Sequence, residues 1–199
     1  MWPLLAASVV ALAVTIERTL FLLRHLEVAQ PELVREILLH VEAGEIPEAL
    51  TKGRRSQDPV VRVLVHGLMN RERSLSGALV RAASAELEAF GRGIPILDTL
   101  VTLAPLLGLL GTVTGMVQAF GMMGGRELEA SAAITGGIAE ALIATGFGLV
   151  IAILSLIPLN VLNASFSKMK RKMEQAATEL ENMLSYENPL RVPSTSSAN

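Results

Sequence analysis

Two stretches without a single charged residue, Thr99 to Gly125 and Ala141 to Ser167, each exceed the roughly 20 apolar residues a helix needs to cross a hydrocarbon core. A water-soluble fold would have to bury both completely, so they direct the chain to a membrane before anything else is read. The composition agrees. Of 199 residues 51% are hydrophobic and 18% charged, with a mean hydropathy of +0.47, too apolar for an ordinary soluble domain. The residues between the two stretches, GMMGGRELEASA, are few and rich in Gly and small polar types, which predicts an antiparallel helix hairpin.

A third apolar segment runs from Trp2 to Ile16, is interrupted by Glu17-Arg18 and resumes to Leu23. It is long enough to span and reads as an anchor rather than a removed leader, because no basic residue precedes it and no small-x-small cleavage site comes before Glu17-Arg18. The expected organisation is a transmembrane helix at 1–23, a cytoplasmic helical segment at 24–93, a second transmembrane helix at 94–121 and a periplasmic hairpin at 122–134. A third transmembrane helix at 135–163, a cytoplasmic C-terminal helix at 164–188 and a disordered tail at 189–199 follow. In the 24–93 segment, stops at Pro31, Gly44, Pro47, Gly53 and Asp58-Pro59 punctuate apolar residues at helical spacing, among them Val61, Leu64, Val65, Leu68, Leu75, Leu79 and Leu87. Orientation follows from the basic residues, which crowd between Arg24 and Arg92 and again at Lys168, Lys170, Arg171 and Lys172. Those regions are expected in the cytoplasm, and the N-terminus and the Arg126 hairpin outside it.

Several function classes drop away on composition. A net charge of -2 gives no basic excess for nucleic acid, and the absence of cysteine removes thiolate chemistry and disulfides. His25, His40 and His66 are far apart, lie in the charged segment and have no metal-ligand spacing. The glycines of GLLGTVTG sit within a spanning helix with no following Lys-Ser/Thr, so they build no phosphate-cradling loop. No enzyme, cofactor or metal site is expected.

The residues that remain are small, hydroxyl-bearing or isolated charges at membrane depth. Gly108, Gly111, Thr112 and Gly115 recur at spacings of three and four along one side of the second span, and Ala141, Thr145, Gly148, Ala152 and Ser155 do the same in the third. In lipid, where the hydrophobic effect no longer pulls helices together, such stripes let backbones approach. Two readings of the threonines stand side by side: hydroxyls bonded back to carbonyls one turn earlier, or Thr112 and Thr145 lining a wet cavity that assists proton movement. Glu140 is the sole ionisable residue between Glu129 and Lys168. At a helix centre a charge costs about 2.5 kcal/mol or more, so it should face protein or water. Glu17 and Arg18, about 100° apart on a helix, are expected to seek partners on other helices or the headgroups rather than each other. Asp98, after Pro95, reads as a carboxylate of the entry turn.

APLLGLLGTVTGMVQAF, from Ala104 to Phe120, resembles the second-helix signature of the ExbB/TolQ proton-channel family, part of the MotA/TolQ/ExbB superfamily. GGIAEALIATGFGLVIAI, from Gly136 to Ile153, resembles its third-helix signature. Glu17-Arg18, the helical segment after it and the basic helix after the third span extend the likeness over nearly the whole chain, with the ExbB branch the nearest match. The resemblance implies an all-α membrane protein whose long helices extend into the cytoplasm and whose copies form a homo-oligomeric ring, a pentamer in that family. The ring would enclose an ExbD/TolR-like dimer carrying a transmembrane aspartate. Thr112 and Thr145 would face that aspartate, with Glu140 nearby. Proton flow would turn the partner and drive a TonB- or TolA-like protein, with no cofactor. Thr135 and Thr145 could serve a sodium ion instead, but the resemblance favours H+. Three spans, where flagellar MotA subunits have four, argue against a flagellar stator. The alternatives are a TolQ-like envelope subunit, a scaffold that oligomerises and moves no ions and, more distantly, an intramembrane enzyme.

Overall fold

The computed structural model describes residues 2–121 and 127–186, and its regular elements are all α-helices. They are α1 (Trp2–Val28), α2 (Pro31–Glu42), α3 (Ile46–Gly53), α4 (Pro59–Met69), α5 (Arg71–Gly91), α6 (Ile94–Gly121) and α7 (Glu127–Tyr186). Residues 122–126 of the expected hairpin, Arg126 among them, and the expected tail at 189–199 lie outside the described residues. Helical backbone of α7 already runs from Glu127, and it continues without a break to Tyr186. The reason for that continuity is local: after Pro158 nothing stops a helix, and the charged stretch is built of good helix formers such as Lys170 and Glu174, paired one turn apart at 3.8 Å.

The chain divides into two compact units, residues 1–23 with 92–164, and 24–91 with the residues from 165 on. In the first, α1, α6 and α7 supply three helices long and apolar enough to cross a membrane. Pro105 and Pro158 lie inside these helices, each deleting one backbone bond, which spanning helices tolerate when neighbours or hydroxyls satisfy the freed carbonyl. Leu4 and Ala11 of α1 cluster with Ala104, Ala144, Ile151 and Ala152, flanked by Leu100 and Leu107. Val14, further along α1, packs on Leu97, Leu159 and Leu162. As α1 advances, its contacts move backwards along α6 and forwards along α7, so α1 is antiparallel to α6 and parallel to α7.

The second unit has a conventional apolar core. From α4 come Val60, Val61, Val63, Leu64, Val65 and Leu68, from α2 Ile37, Leu38 and Val41, and from α7 Met173, Ala176 and Leu180. The last three follow the 3–4 spacing that puts one helix face inward. Helix α2 ends in a Schellman motif: Gly44 takes φ +77, its N–H bonds to Val41 O at 3.0 Å and the Glu45 N–H to His40 O at 2.8 Å. Buried Asp58 ties two helix starts together. One carboxylate oxygen accepts from Val60 N at 2.8 Å, capping α4, and the other from Gln30 N at 2.6 Å, just ahead of α2. Both helices begin with proline, Pro31 and Pro59, so the capped N–H groups are among the few free donors each terminus has.

Candidate functional site

The contact between α6 and α7 is built almost entirely from residues with little or no side chain. A Cβ placed on Gly108 would lie 3.0 Å from the Ala144 carbonyl oxygen and 3.0 Å from Thr145 Cα. On Gly111 it would lie 2.7 Å from Ala144 Cβ, on Gly115 2.9 Å from Ala141 Cβ, and on Gly148 2.5 Å from the Ala104 carbonyl oxygen. The pairing continues at Gly137 against Ala119, at 2.7 Å. Read in order, 104 meets 148, 108 meets 144, 115 meets 141 and 119 meets 137, an antiparallel register in which the two backbones touch. The structure thus brings together Gly108, Gly111, Gly115 and Gly148, the four glycines singled out in the sequence. Ala144 and Gly137 belong to the same seam and went unremarked. Their signal was available, since 137, 141, 144 and 148 continue the three-and-four spacing.

The two threonines behave differently. Thr112 bonds back within its own helix, Oγ1 donating to Leu109 O at 2.7 Å. Thr145 reaches across the seam and donates to Gly108 O at 2.9 Å. That bond exists because Gly108 lets α7 come close enough for a hydroxyl on α7 to reach a carbonyl on α6. Thr112 is one turn beyond Gly108, so both hydroxyls sit within a turn of the same carbonyl, each half-buried.

Glu140 is not part of that group. It is five residues from Thr145, about 140° around the helix and about 7.5 Å along it. It shares a face with Ile151, eleven residues on and about 20° around, while Thr145 shares one with Ala152, seven residues on and about 20° around; Ile151 and Ala152 both belong to the cluster that Leu4 and Ala11 of α1 join. Leu107, against the same cluster, stands about 140° from Thr112 in the same way. Glu140 is exposed, with exposed apolar neighbours along the chain such as Leu142 and Ile143.

Two sequence expectations need correction. Glu17 and Arg18 do pair: Arg18 Nη2 donates to Glu17 Oε1 at 3.2 Å. The backbone vectors diverge as expected, but the long arginine side chain folds back over its neighbour's carboxylate. Arg18 itself is buried, with only 8% of it exposed. Asp98 is not in the entry turn, because α6 begins at Ile94 and its first turn holds no acidic residue. Of the three histidines, His40 pairs with Glu45 at 2.7 Å and His66 is exposed, while the side chain of His25 lies outside the described residues.

Comparison with known proteins places this architecture. Residues 55–175, well over half of the chain, match the model of the MotA/TolQ/ExbB proton channel family. An ExbB-like biopolymer transport protein of Synechocystis sp. (ExbB-like 3) is 32% identical over 185 residues, 90% of this chain and 87% of its own. A second from the same organism (ExbB-like 1) is 35% identical over 193 residues, 91% of this chain and 73% of its own. The Tol-Pal system protein TolQ of Haemophilus influenzae is 37% identical over 86 residues, 43% of this chain and 38% of its own. With all-helical architecture, three helices fit to cross a membrane and relatives matching along most of its length, the chain belongs to the MotA/TolQ/ExbB proton channel family.

Proposed function

We propose that this chain is the ring subunit of an ion-driven motor in the bacterial inner membrane, its N-terminus periplasmic and its C-terminus cytoplasmic. Five copies surround an ExbD-like dimer, and proton flow past the dimer's transmembrane aspartate energises a TonB-like protein for outer-membrane transport. A TolQ-like role in a Tol-Pal envelope system is the second reading, favoured by the likeness to TolQ over 86 residues. The observation that carries the proposal is the seam of α6 and α7, where the Thr145 hydroxyl donates across to the Gly108 carbonyl and the Thr112 hydroxyl, one turn on, donates to Leu109 O. Hydroxyls at membrane depth can pass a proton through ordered water without the cost of a buried charge, and a family of proton channels is where such a pair of hydroxyls has a use. Glu140 supplies a carboxylate on a separate step of the path, on the other side of α7. H+ is the translocated ion and no cofactor takes part.

The test is proton uptake by proteoliposomes holding the chain with its ExbD-like partner, followed with a pH-sensitive dye. Thr145→Val should slow partner-dependent uptake about tenfold or more, roughly 1.4 kcal/mol in the barrier, with Glu140→Gln also reducing it. Native mass spectrometry should give five copies alone and two more chains with the partner. Wild-type uptake by Thr145→Val, with assembly intact, would leave the non-conducting scaffold in its place.

A further inference from the structure

The first turn of α6 leaves the backbone N–H groups of Ile94 and Ile96 without an acceptor in their own helix, and Pro95 has none to give. Leu97 is the first to bond back, to Gly93 O at 3.1 Å. A helix of 28 residues thus shows its positive end at this point. Packed against that end is a second positive feature. Gly93 adopts φ +83, and a Cβ there would lie 2.6 Å from Arg18 Nε and 3.2 Å from its Cδ, so the guanidinium rests on the residue that opens α6. Arg18 is 8% exposed, and its Nε is buried with no hydrogen-bond partner. Among the described residues its ion pair is with Glu17 alone, through one 3.2 Å bond to a carboxylate that is itself 67% exposed. The Phe21 ring covers the other side, 5.5 Å from the guanidinium carbon.

The sign of this arrangement is wrong for a finished structure. Cations belong at helix C-termini, where the dipole favours them, and a guanidinium held at an N-terminus is disfavoured by the same interaction. Burying it with a donor unpaired adds a desolvation cost. An anion between the two features would satisfy both. The site's level in the membrane identifies the anion's source. Arg18 lies near the end of the apolar stretch Trp2–Leu22, and Ile94 starts the stretch Ile94–Gly121, so both stand where hydrocarbon gives way to headgroups. We propose that Arg18 and the first turn of α6 bind the phosphate of a phospholipid headgroup. The guanidinium supplies charge-assisted N–H donors and Ile94 and Ile96 supply backbone donors. Glycine at 93 is needed both for its positive φ and because a side chain would occupy the place of the guanidinium.

The whole chain, delipidated in a maltoside detergent, is titrated with dioctanoyl phosphatidylglycerol and separately with inorganic phosphate, binding being read by native mass spectrometry and by the rise in melting temperature. The wild type should hold one phospholipid per chain at this site. Arg18→Gln should weaken that binding about tenfold or more, the loss of a charge-assisted bond, while Arg92→Gln, which removes a neighbouring exposed arginine, should not. Wild-type lipid binding by a folded Arg18→Gln variant overturns the proposal. Inorganic phosphate that binds as tightly as the lipid and displaces it overturns the lipid assignment. If Arg18→Gln does not fold, Arg18→Lys decides: it keeps the charge but not the reach or the fork of donors, and undiminished lipid binding by it also overturns the proposal.

Discussion

In the unit formed by residues 24–91 and the C-terminal stretch of α7, helices are held by large side chains: Leu64, Leu68, Ile37, Leu79 and Leu180 are fully or almost fully buried. In the unit formed by α1, α6 and the start of α7, the equivalent positions are Gly108, Gly111, Gly115, Ala141, Ala144 and Gly148, while Leu106, Leu109, Phe147 and Leu154 point outward. The same helical chemistry is turned inside out because the solvent changes. Water drives large apolar groups together at about 25 cal/mol per Å². Hydrocarbon does not, so the spanning helices depend on how closely their backbones can approach.

Breaking that approach should have the largest effect. Gly148→Leu would force a side chain into the Ala104 carbonyl oxygen, 2.5 Å from the first added atom, with backbone rather than a flexible side chain in the way. The α6–α7 pair should separate, and assembly measured by native mass spectrometry should be lost altogether. Exposed Leu154→Gly, a change of the same volume facing outward, should leave assembly near wild type. Loss of assembly in both would mean that close packing at the seam is not what distinguishes this unit.

In the other unit the expected hierarchy reverses. Leu64→Ala opens a cavity in a fully buried position and should cost about 2–5 kcal/mol, read as a drop in the chemical-denaturation midpoint of the second unit's helices followed by hydrogen exchange. Asp58→Ala should cost less, about 1–3 kcal/mol. It uncaps α4 and frees Gln30 N at once, so exchange should accelerate at both helix starts together. Acceleration at α4 alone would show that the bond to Gln30 contributes nothing.

Much of this was readable in the residues, and unevenly so. The spans were legible because uncharged length is a one-dimensional signal, as were the stripes, since Gly108, Gly111, Gly115 and Gly148 declare themselves by spacing alone. What could not be read was which carbonyl a hydroxyl finds. Thr112 and Thr145 look alike in sequence, yet one bonds within its helix and the other across the seam, a difference set by the register of two helices. Arg18 failed for a related reason. Its backbone direction was predictable, but the fate of its guanidinium depended on Gly93, distant in sequence and recognisable as an αL position only in three dimensions. Asp58 looked like a helix stop before a proline, and its second bond, to Gln30, came only with the packing of α2 on α4.

The smallest expected effect concerns charge, and it sharpens the same contrast. Glu36 and Lys52 join α2 to α3 at the surface. The Lys52 hydrogen bond, helped by the charges of Lys52 and His40, holds the Glu36 carboxyl below its ordinary 4.5. The sign follows from linkage: a carboxylate whose folded value is depressed contributes stability that is fully present above 4.5 and is lost as pH falls through the folded value. Because Glu36 is water-exposed, that contribution is screened and small. Lys52→Ala should therefore return the Glu36 titration, followed by NMR of its carboxyl carbon in the full chain, toward 4.5 while barely moving the melting temperature. A large drop in melting temperature would mean that surface charge holds this unit as firmly as its core does. An unmoved titration would remove Lys52 as the cause of the shift. Arg18 is the counterpart within the spanning unit, where the guanidinium is 8% exposed and its buried Nε has no partner among the described residues, so screening is weaker and the unpaired donor costs more.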